Sequence, residues 1–104
     1  MSDIKQLISI IVPVFNESES IGFLLNEVVN VMSCHELNFE LIVVNDGSKD
    51  NTHQVLKELT LEIQELSVIS LRKNYGQTAA MSAGFDNSKG DIAVSYTHLR
   101  AHET

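Results

Sequence analysis

Ten consecutive residues, Val43-Val44-Asn45-Asp46-Gly47-Ser48-Lys49-Asp50-Asn51-Thr52, gather two carboxylates, two hydroxyls and two carboxamides directly after an apolar run. An apolar run that stops in polar residues, with a helical pattern following, predicts a buried strand that delivers an acidic loop to the carboxyl edge of a sheet. Ligands of open α/β sheets bind outside that edge. Asp46 is therefore the first candidate for ligand contact. Gly47 permits the tight turn because it tolerates φ > 0. Ser48 or Asp50 can cap the next helix by accepting a hydrogen bond from a free backbone N–H. The same residues also fit plain turn and cap chemistry, since Asp-Gly-Ser is common in turns.

Two further apolar runs end in polar residues. The first gives Asn16 and Glu17 after Pro13 and Phe15; another gives Arg72, Lys73 and Asn74. An aromatic face, a carboxylate and cations together suit a nucleotide. Phe15 can stack on a base, Asp46 can accept from a base N–H, and Arg72 or Lys73 can meet phosphate. Taken singly, Phe15 also reads as core, and Arg72 and Lys73 as solvated. The turn after the first strand has no glycine before Gly22, which excludes the G-x-G-x-x-G dinucleotide fingerprint. A P-loop and a G-x-S-x-G nucleophile elbow are likewise missing. A phospho-receiver domain would want an acidic pair after its first strand, where only Glu17 stands.

The elements that must carry these residues follow from periodicity. Residues 8–15 are short, β-branched and almost continuously apolar, as in a strand buried on both faces of a parallel sheet. Pro13 cannot donate to a ladder and belongs near that strand's end. Ile21, Leu24, Leu25, Val28 and Met32 mark a first helix, with Asn16 or Ser18 as its cap and Glu19 at its positive end. Residues 39–44 form a second strand. Thr52, Val55, Leu56, Leu59, Ile63 and Leu66 mark a second helix, and residues 67–71 a third strand. Residues 79–85 form a third helix with a small face of Ala80, Ala83 and Gly84. Gly90 is placed as that helix's C-cap, with Lys89 suiting its negative end. Residues 91–94 begin a fourth strand. The order is β-α-β-α-β-α-β, which predicts right-handed crossovers and an α/β fold with a mostly parallel sheet.

Composition bounds the partners. The chain has 104 residues, 43% hydrophobic, enough for one small domain. Its formal net charge of −7, with no basic run, argues against nucleic acid. Cys34 is the single cysteine, so no intrachain disulfide forms and a reducing compartment, the cytoplasm, is expected. Residues 1–6 do not read as a signal peptide, and no apolar stretch approaches the ~20 residues of a membrane span.

Three motifs in order carry a family resemblance. Ile-Val-Pro-Val-Phe-Asn-Glu at residues 11–17 and Val-Asn-Asp-Gly-Ser-Lys-Asp-Asn-Thr at residues 44–52 resemble the opening of inverting family 2 glycosyltransferases. Asn-Tyr-Gly-Gln-Thr-Ala-Ala-Met-Ser-Ala-Gly-Phe-Asp at residues 74–86, followed by Lys-Gly-Asp at residues 89–91, is most similar to the polyprenol-phosphate branch, which includes the dolichol-phosphate mannose synthases and bactoprenol glucosyltransferases. The resemblance runs from about residue 8 to residue 94. It implies the N-terminal half of a GT-A fold, a UDP- or GDP-linked sugar donor, a polyprenyl-phosphate acceptor and Mg²⁺ or Mn²⁺ in the complete enzyme. By matching position, Pro13, Phe15 and Glu17 line the nucleotide pocket, and Val44 and Asp46 hold the base. Asn45 stands where many relatives have an Asp.

The resemblance stops near the end. The family's metal-binding Asp-x-Asp would fall at Thr97 and Leu99, neither of which is a carboxylate. Residues 1–94 are thus expected to form a partial nucleotide-sugar-binding domain, and residues 95–104 a non-native or disordered tail. His98 and His102 share an i, i+4 spacing without a third ligand nearby. No catalytic or metal-binding residue is assigned to this chain, which is expected to be inactive by itself. Any membrane association is expected to come from parts beyond it. The alternative is a non-catalytic α/β domain that binds a nucleotide or a partner.

Overall fold

The computed structural model describes residues 6–96. Thr97, Leu99, His98 and His102 lie outside the described residues. The elements are β1 (Leu7–Val14), α1 (Ile21–Cys34), β2 (Asn38–Asn45), α2 (Thr52–Glu62), β3 (Leu66–Ser70), α3 (Gln77–Asp86) and β4 (Ile92–Ser95). They form one parallel sheet of order β3-β2-β1-β4. The predicted alternation holds with most boundaries moved by one or two residues, but α2 stops at Glu62: Ile63 is its C-cap, and Leu66, expected on that helix, opens β3 instead. Ser95 pairs with Ile11, and the Tyr96 N–H donates to the Ile11 carbonyl at 2.8 Å, so both continue the β4 edge.

The two faces of the sheet are unlike. Ile10, Val12 and Val14 of β1 and Phe39, Leu41 and Val43 of β2 pack with Ile21, Leu24 and Leu25 of α1 and Leu56 and Leu59 of α2. The opposite face is a smaller cluster of Ile11, Ile42 and Val44 beneath Ala80 of α3. This is why β1 and β2 read as continuous apolar runs: both faces are covered. Gly84 lets α3 sit close, since a Cβ there would lie 2.4 Å from Cγ2 of Ile11.

Chain direction explains which helix covers which face. The β1–β2 and β2–β3 connections run one way across the sheet, and β3–β4 returns the other way. With right-handed crossovers, that reversal puts α1 and α2 on one face and α3 on the other. The reversal makes the crevice between β1 and β4 the topological switch point, whose carboxyl end is where such sheets bind ligands. Pro13 is tolerated there. Leu7 and Ile11 turn their carbonyls toward β4, accepting from Asp91 and Tyr96. Pro13, two residues on, faces the same side, beyond the Ile11–Ser95 pair that ends the described β1–β4 ladder.

Three local expectations are corrected. Neither Asn16 nor Ser18 caps α1: its N-cap is Ser20, and no acidic residue lies in its first turn. The Glu17 carbonyl instead accepts the N–H groups of Ser20 and Ile21, at 3.1 and 2.9 Å. Gly90 is not the cap of α3, whose C-cap is Asn87. Gly90 is small because a Cβ would meet Ser9 Oγ at 2.5 Å and the Leu7 carbonyl at 2.6 Å. Lys89 accordingly lies outside the last turn of α3, which holds no basic residue.

Candidate functional site

Three loops meet at the carboxyl edge, joined mainly by side chains that receive backbone N–H groups of another loop. After β1, Asn16 adopts φ +53°, a left-handed conformation that asparagine tolerates better than most residues. Its N–H donates to Ser48 Oγ at 2.8 Å, and its Oδ1 accepts the Lys49 N–H at 2.8 Å. The Glu17 N–H donates to Thr52 Oγ1 at 2.9 Å, and the Ser18 N–H to Asp50 Oδ2 at 3.4 Å. The β1–α1 and β2–α2 loops are thereby joined along their length.

The β2–α2 loop is built for this. Gly47 sits at φ +72°. Asn45, 3% exposed, accepts the Ser48 N–H on Oδ1 at 3.2 Å, an oxygen that an Asp in its place would also offer. Asp50 Oδ1 accepts the Thr52 N–H at 2.9 Å and the Thr52 hydroxyl, so it caps the start of α2 from one residue before the N-cap. Desolvation raises the Asp50 pKa, but the bonds from Thr52 and Ser18 outweigh it and hold the carboxyl below its ordinary value of 3.8. Ser48, the other candidate cap, serves Asn16 instead.

Asp46 is 4% exposed and faces the β3–α3 loop. Its Oδ1 accepts the Tyr75 N–H at 2.9 Å, and its Oδ2 accepts the Gly76 N–H at 3.1 Å and Asn74 Nδ2 at 3.3 Å. Arg72 and Lys73 are exposed, and Lys73 Nζ lies 5.4 Å from the centroid of the Tyr75 ring, a cation–π contact.

The predicted site residues divide accordingly. Phe15 is 40% exposed at the edge, so it is not part of the core. Glu17 is half-buried, its Oε1 accepting from Ser20 Oγ at 2.7 Å. Pro13 is half-buried within β1. Val44 is fully buried in the α3-side cluster, so its side chain shapes the edge from beneath. Thr52, given no contact of its own from sequence although it closes the second motif and opens the apolar helix face, is fully buried and takes the Glu17 N–H. The signal was there: a hydroxyl at a position whose helical period calls for burial.

A polar recess of about 370 Å³ lies between Asn16, Glu17, Ser18, Glu19, Ser20 and Asp50. It is acidic, but no group of three or more His, Cys, Asp or Glu side chains able to hold a metal occurs among the described residues. The carboxylates of Asp46 and Asp50 are already engaged with N–H groups, so the described residues do not fit a divalent cation. No buried side-chain N or O atom among them lacks a partner. The edge is therefore formed in advance of any ligand.

Known proteins share this architecture. Undecaprenyl-phosphate 4-deoxy-4-formamido-L-arabinose transferase from Aeromonas hydrophila is 37% identical over 95 residues, which are 90% of this chain and 29% of that protein. Dodecaprenyl-phosphate galacturonate synthase from Rhizobium johnstonii is 42% identical over 89 residues, 85% of this chain and 26% of that protein. The chain thus spans under a third of the curated relatives it matches. Among solved structures, a mannosyltransferase from Pyrobaculum calidifontis in complex with GDP-Man and Mn²⁺ superposes with a TM-score of 0.79 at 19% identity, covering 91% of this chain and 28% of that one. Residues 1–349 of S. aureus TarS in complex with UDP superpose with a TM-score of 0.67 at 26% identity, covering 90% of this chain and 27% of that one. The family profile described as "Glycosyl transferase family 2" matches residues 9–96, and the chain belongs to that family.

Proposed function

We propose that this chain is the donor-binding part of an inverting glycosyltransferase that moves a sugar from a nucleoside diphosphate to a polyprenyl phosphate. The observation that carries this reading is the meeting of all three motif loops at one preformed edge, beside the switch point of a family 2 sheet. The names of the A. hydrophila and R. johnstonii relatives support the polyprenyl-phosphate acceptor. The UDP and GDP-Man complexes of the structural neighbours support the donor class.

In this reading Phe15 stacks on the base, with Pro13 and Glu17 completing that wall. Val44 and Asp46 hold the base, Val44 from the core beneath it and Asp46 at the edge. Arg72 and Lys73 offset the charge of the diphosphate, which the net charge of −7 would otherwise repel. A divalent cation, when bound, would neutralise charge developing on the leaving diphosphate. The described residues furnish no ligand set for it, and they contribute no catalytic base; this reading places both elsewhere in the protein. No helix among the described residues is long and apolar enough to cross a membrane. Contact with a lipid-linked acceptor at the cytoplasmic membrane face would then fall to other parts.

Calorimetric titration of the full-length protein with UDP, GDP, ADP and NAD tests the reading. Binding of UDP or GDP that weakens in Phe15→Ala is the expected result. Preference for NAD, or no nucleotide binding by folded protein, would point instead to a non-catalytic α/β domain.

A further inference from the structure

The three N–H groups that follow Phe15 in the chain are all received by side chains of the next loop. Those of Asn16, Glu17 and Ser18 donate in turn to Ser48 Oγ at 2.8 Å, Thr52 Oγ1 at 2.9 Å and Asp50 Oδ2 at 3.4 Å. The middle contact is the sheltered one. Thr52 is fully buried, whereas Ser48 is half-buried and Asp50 exposed. A threonine hydroxyl has one hydrogen to give. Here it goes to Asp50 Oδ1, which also accepts the Thr52 N–H at 2.9 Å. Asp50 thereby fixes the hydroxyl and turns a lone pair of Oγ1 toward the Glu17 N–H. The segment it holds has reason to drift. Asn16 sits at φ +53°, a conformation that costs a residue other than glycine some strain and persists where its surroundings impose it. Its setting decides the direction in which the chain leaves Phe15.

Resting on the donor-site reading above, we propose that Thr52 is a positioning residue for the base of the donor. Its hydroxyl, aimed by Asp50, holds the segment from Phe15 to Glu17 in the shape that offers both side chains as a wall of the base pocket. Thr52 is fully buried and acts through that segment. The two roles open to a buried threonine make opposite demands. Packing needs the methyl group, which Thr52→Val keeps and Thr52→Ser loses. Holding Glu17 needs the hydroxyl, which Thr52→Ser keeps and Thr52→Val loses.

The test is calorimetric titration with UDP and GDP of the full-length wild-type protein, of Thr52→Val, Thr52→Ser and Phe15→Ala, and of Phe15→Ala combined with Thr52→Val. Amide hydrogen exchange of the ligand-free proteins is read in parallel. Thr52→Val is expected to weaken binding about fivefold to tenfold, the scale of one hydrogen bond lost with its donor left unsatisfied. Affinity falls because the loop visits its binding shape less often. Thr52→Ser should stay within about twofold of wild type. Exchange at Glu17 should accelerate in Thr52→Val and not in Thr52→Ser. In the Phe15→Ala background, adding Thr52→Val should cost less than about twofold, since most of the wall it positions is already gone. If Thr52→Val does not fold, Ser48→Ala, which removes the acceptor of the Asn16 N–H, takes its place, with exchange read at Asn16. Wild-type affinity in Thr52→Val, a Thr52→Ser protein as weak as Thr52→Val, unchanged exchange at Glu17, or losses that simply add in the double variant would each overturn the proposal. Wild-type protein that binds neither diphosphate is a separate result, which overturns the donor-site reading and the proposal with it.

Discussion

The two ends of the sheet are built from similar bonds to different effect. At the amino end, Ser9 Oγ donates to Glu40 Oε2, which also accepts the Lys89 N–H at 2.7 Å, and Ser9 Oγ accepts the Gly90 N–H at 2.8 Å. The Leu7 N–H donates to Asp91 Oδ2 at 2.9 Å, and the Asp91 N–H to the Leu7 carbonyl at 2.8 Å. At the carboxyl end, Asn16, Ser48, Asp50, Thr52 and Asp46 satisfy loop N–H groups in the same manner. Satisfied hydrogen bonds therefore do not mark a site; they close strand ends wherever loops cross. What separates the ends most clearly is backbone conformation; exposed aromatic and cationic side chains occur at both, Phe85 and Lys89 lying toward the amino end. Asn16, Gly47 and Gly76 all take positive φ at the carboxyl end, where Phe15, Arg72, Lys73 and Tyr75 are also exposed. Glu36, the other described residue at positive φ, follows the end of α1 and brings no such group.

Substitutions break the comparison at different depths. The largest effect is expected from Gly47→Ala. It combines a φ of +72° with a Cβ 2.2 Å from Lys73 backbone. Left-handed strain of ~1–2 kcal/mol and overpacking of ~1–3 kcal/mol together predict a loss of about 3 kcal/mol in urea unfolding, with loss of diphosphate binding. Gly90→Ala is the matching change at the amino end. A Cβ there crowds Ser9 but incurs no positive-φ strain, so a loss of ~1–3 kcal/mol is expected. Diphosphate affinity of the folded Gly90→Ala protein should equal that of wild type. Phe15→Ala should invert the pattern. An exposed ring contributes little to the fold, within about 0.5 kcal/mol, yet a lost base stack weakens nucleotide binding by ~1–3 kcal/mol.

Acid should loosen the carboxyl end through Asp50. Its folded pKa lies below the unfolded value near 3.8, so its stabilising contribution is full above that value. The contribution fades as pH falls through the interval between the two pKa values and is gone below the folded one. In urea midpoints measured from pH 6 to pH 2.5, Asp50→Asn should remove this part of the acid dependence. A smaller effect still is expected at the β4 edge, where Ile92, Val94 and Tyr96 are about 40% exposed beside an apolar groove of about 490 Å³ formed with α1. An open apolar edge favours association, so Val94→Lys should lower the sedimentation-measured self-association of the 104-residue chain with little change in its unfolding.

Periodicity carried the fold because burial on one or both faces is a property of each segment alone. The continuous apolar run ending at Val44 and the spacing of Leu24, Leu25 and Val28 each announce an element without knowledge of its neighbours. The edge was legible to the same extent: strand ends told where Glu17, Asp46 and Lys73 emerge. Their uses were not, because each is set by a partner far along the chain. Asp46 meets Tyr75, and Glu17 meets Thr52, across about thirty residues. Gly90 misled for the same reason. Its position after a helix suggested a cap, whereas its small size answers to Ser9, which lies next to it only once β4 has paired with β1.

The central claim is that the carboxyl edge, and not the equally well-bonded amino edge, binds a nucleoside diphosphate. Amide hydrogen exchange of the full-length protein with and without saturating UDP or GDP tests this most directly. The account predicts added protection at residues 15–18, 46–48 and 73–76, and none at residues 7–9, 40 and 89–91. Protection confined to the amino edge, or no change at either edge under conditions where the nucleotide is bound, would contradict it.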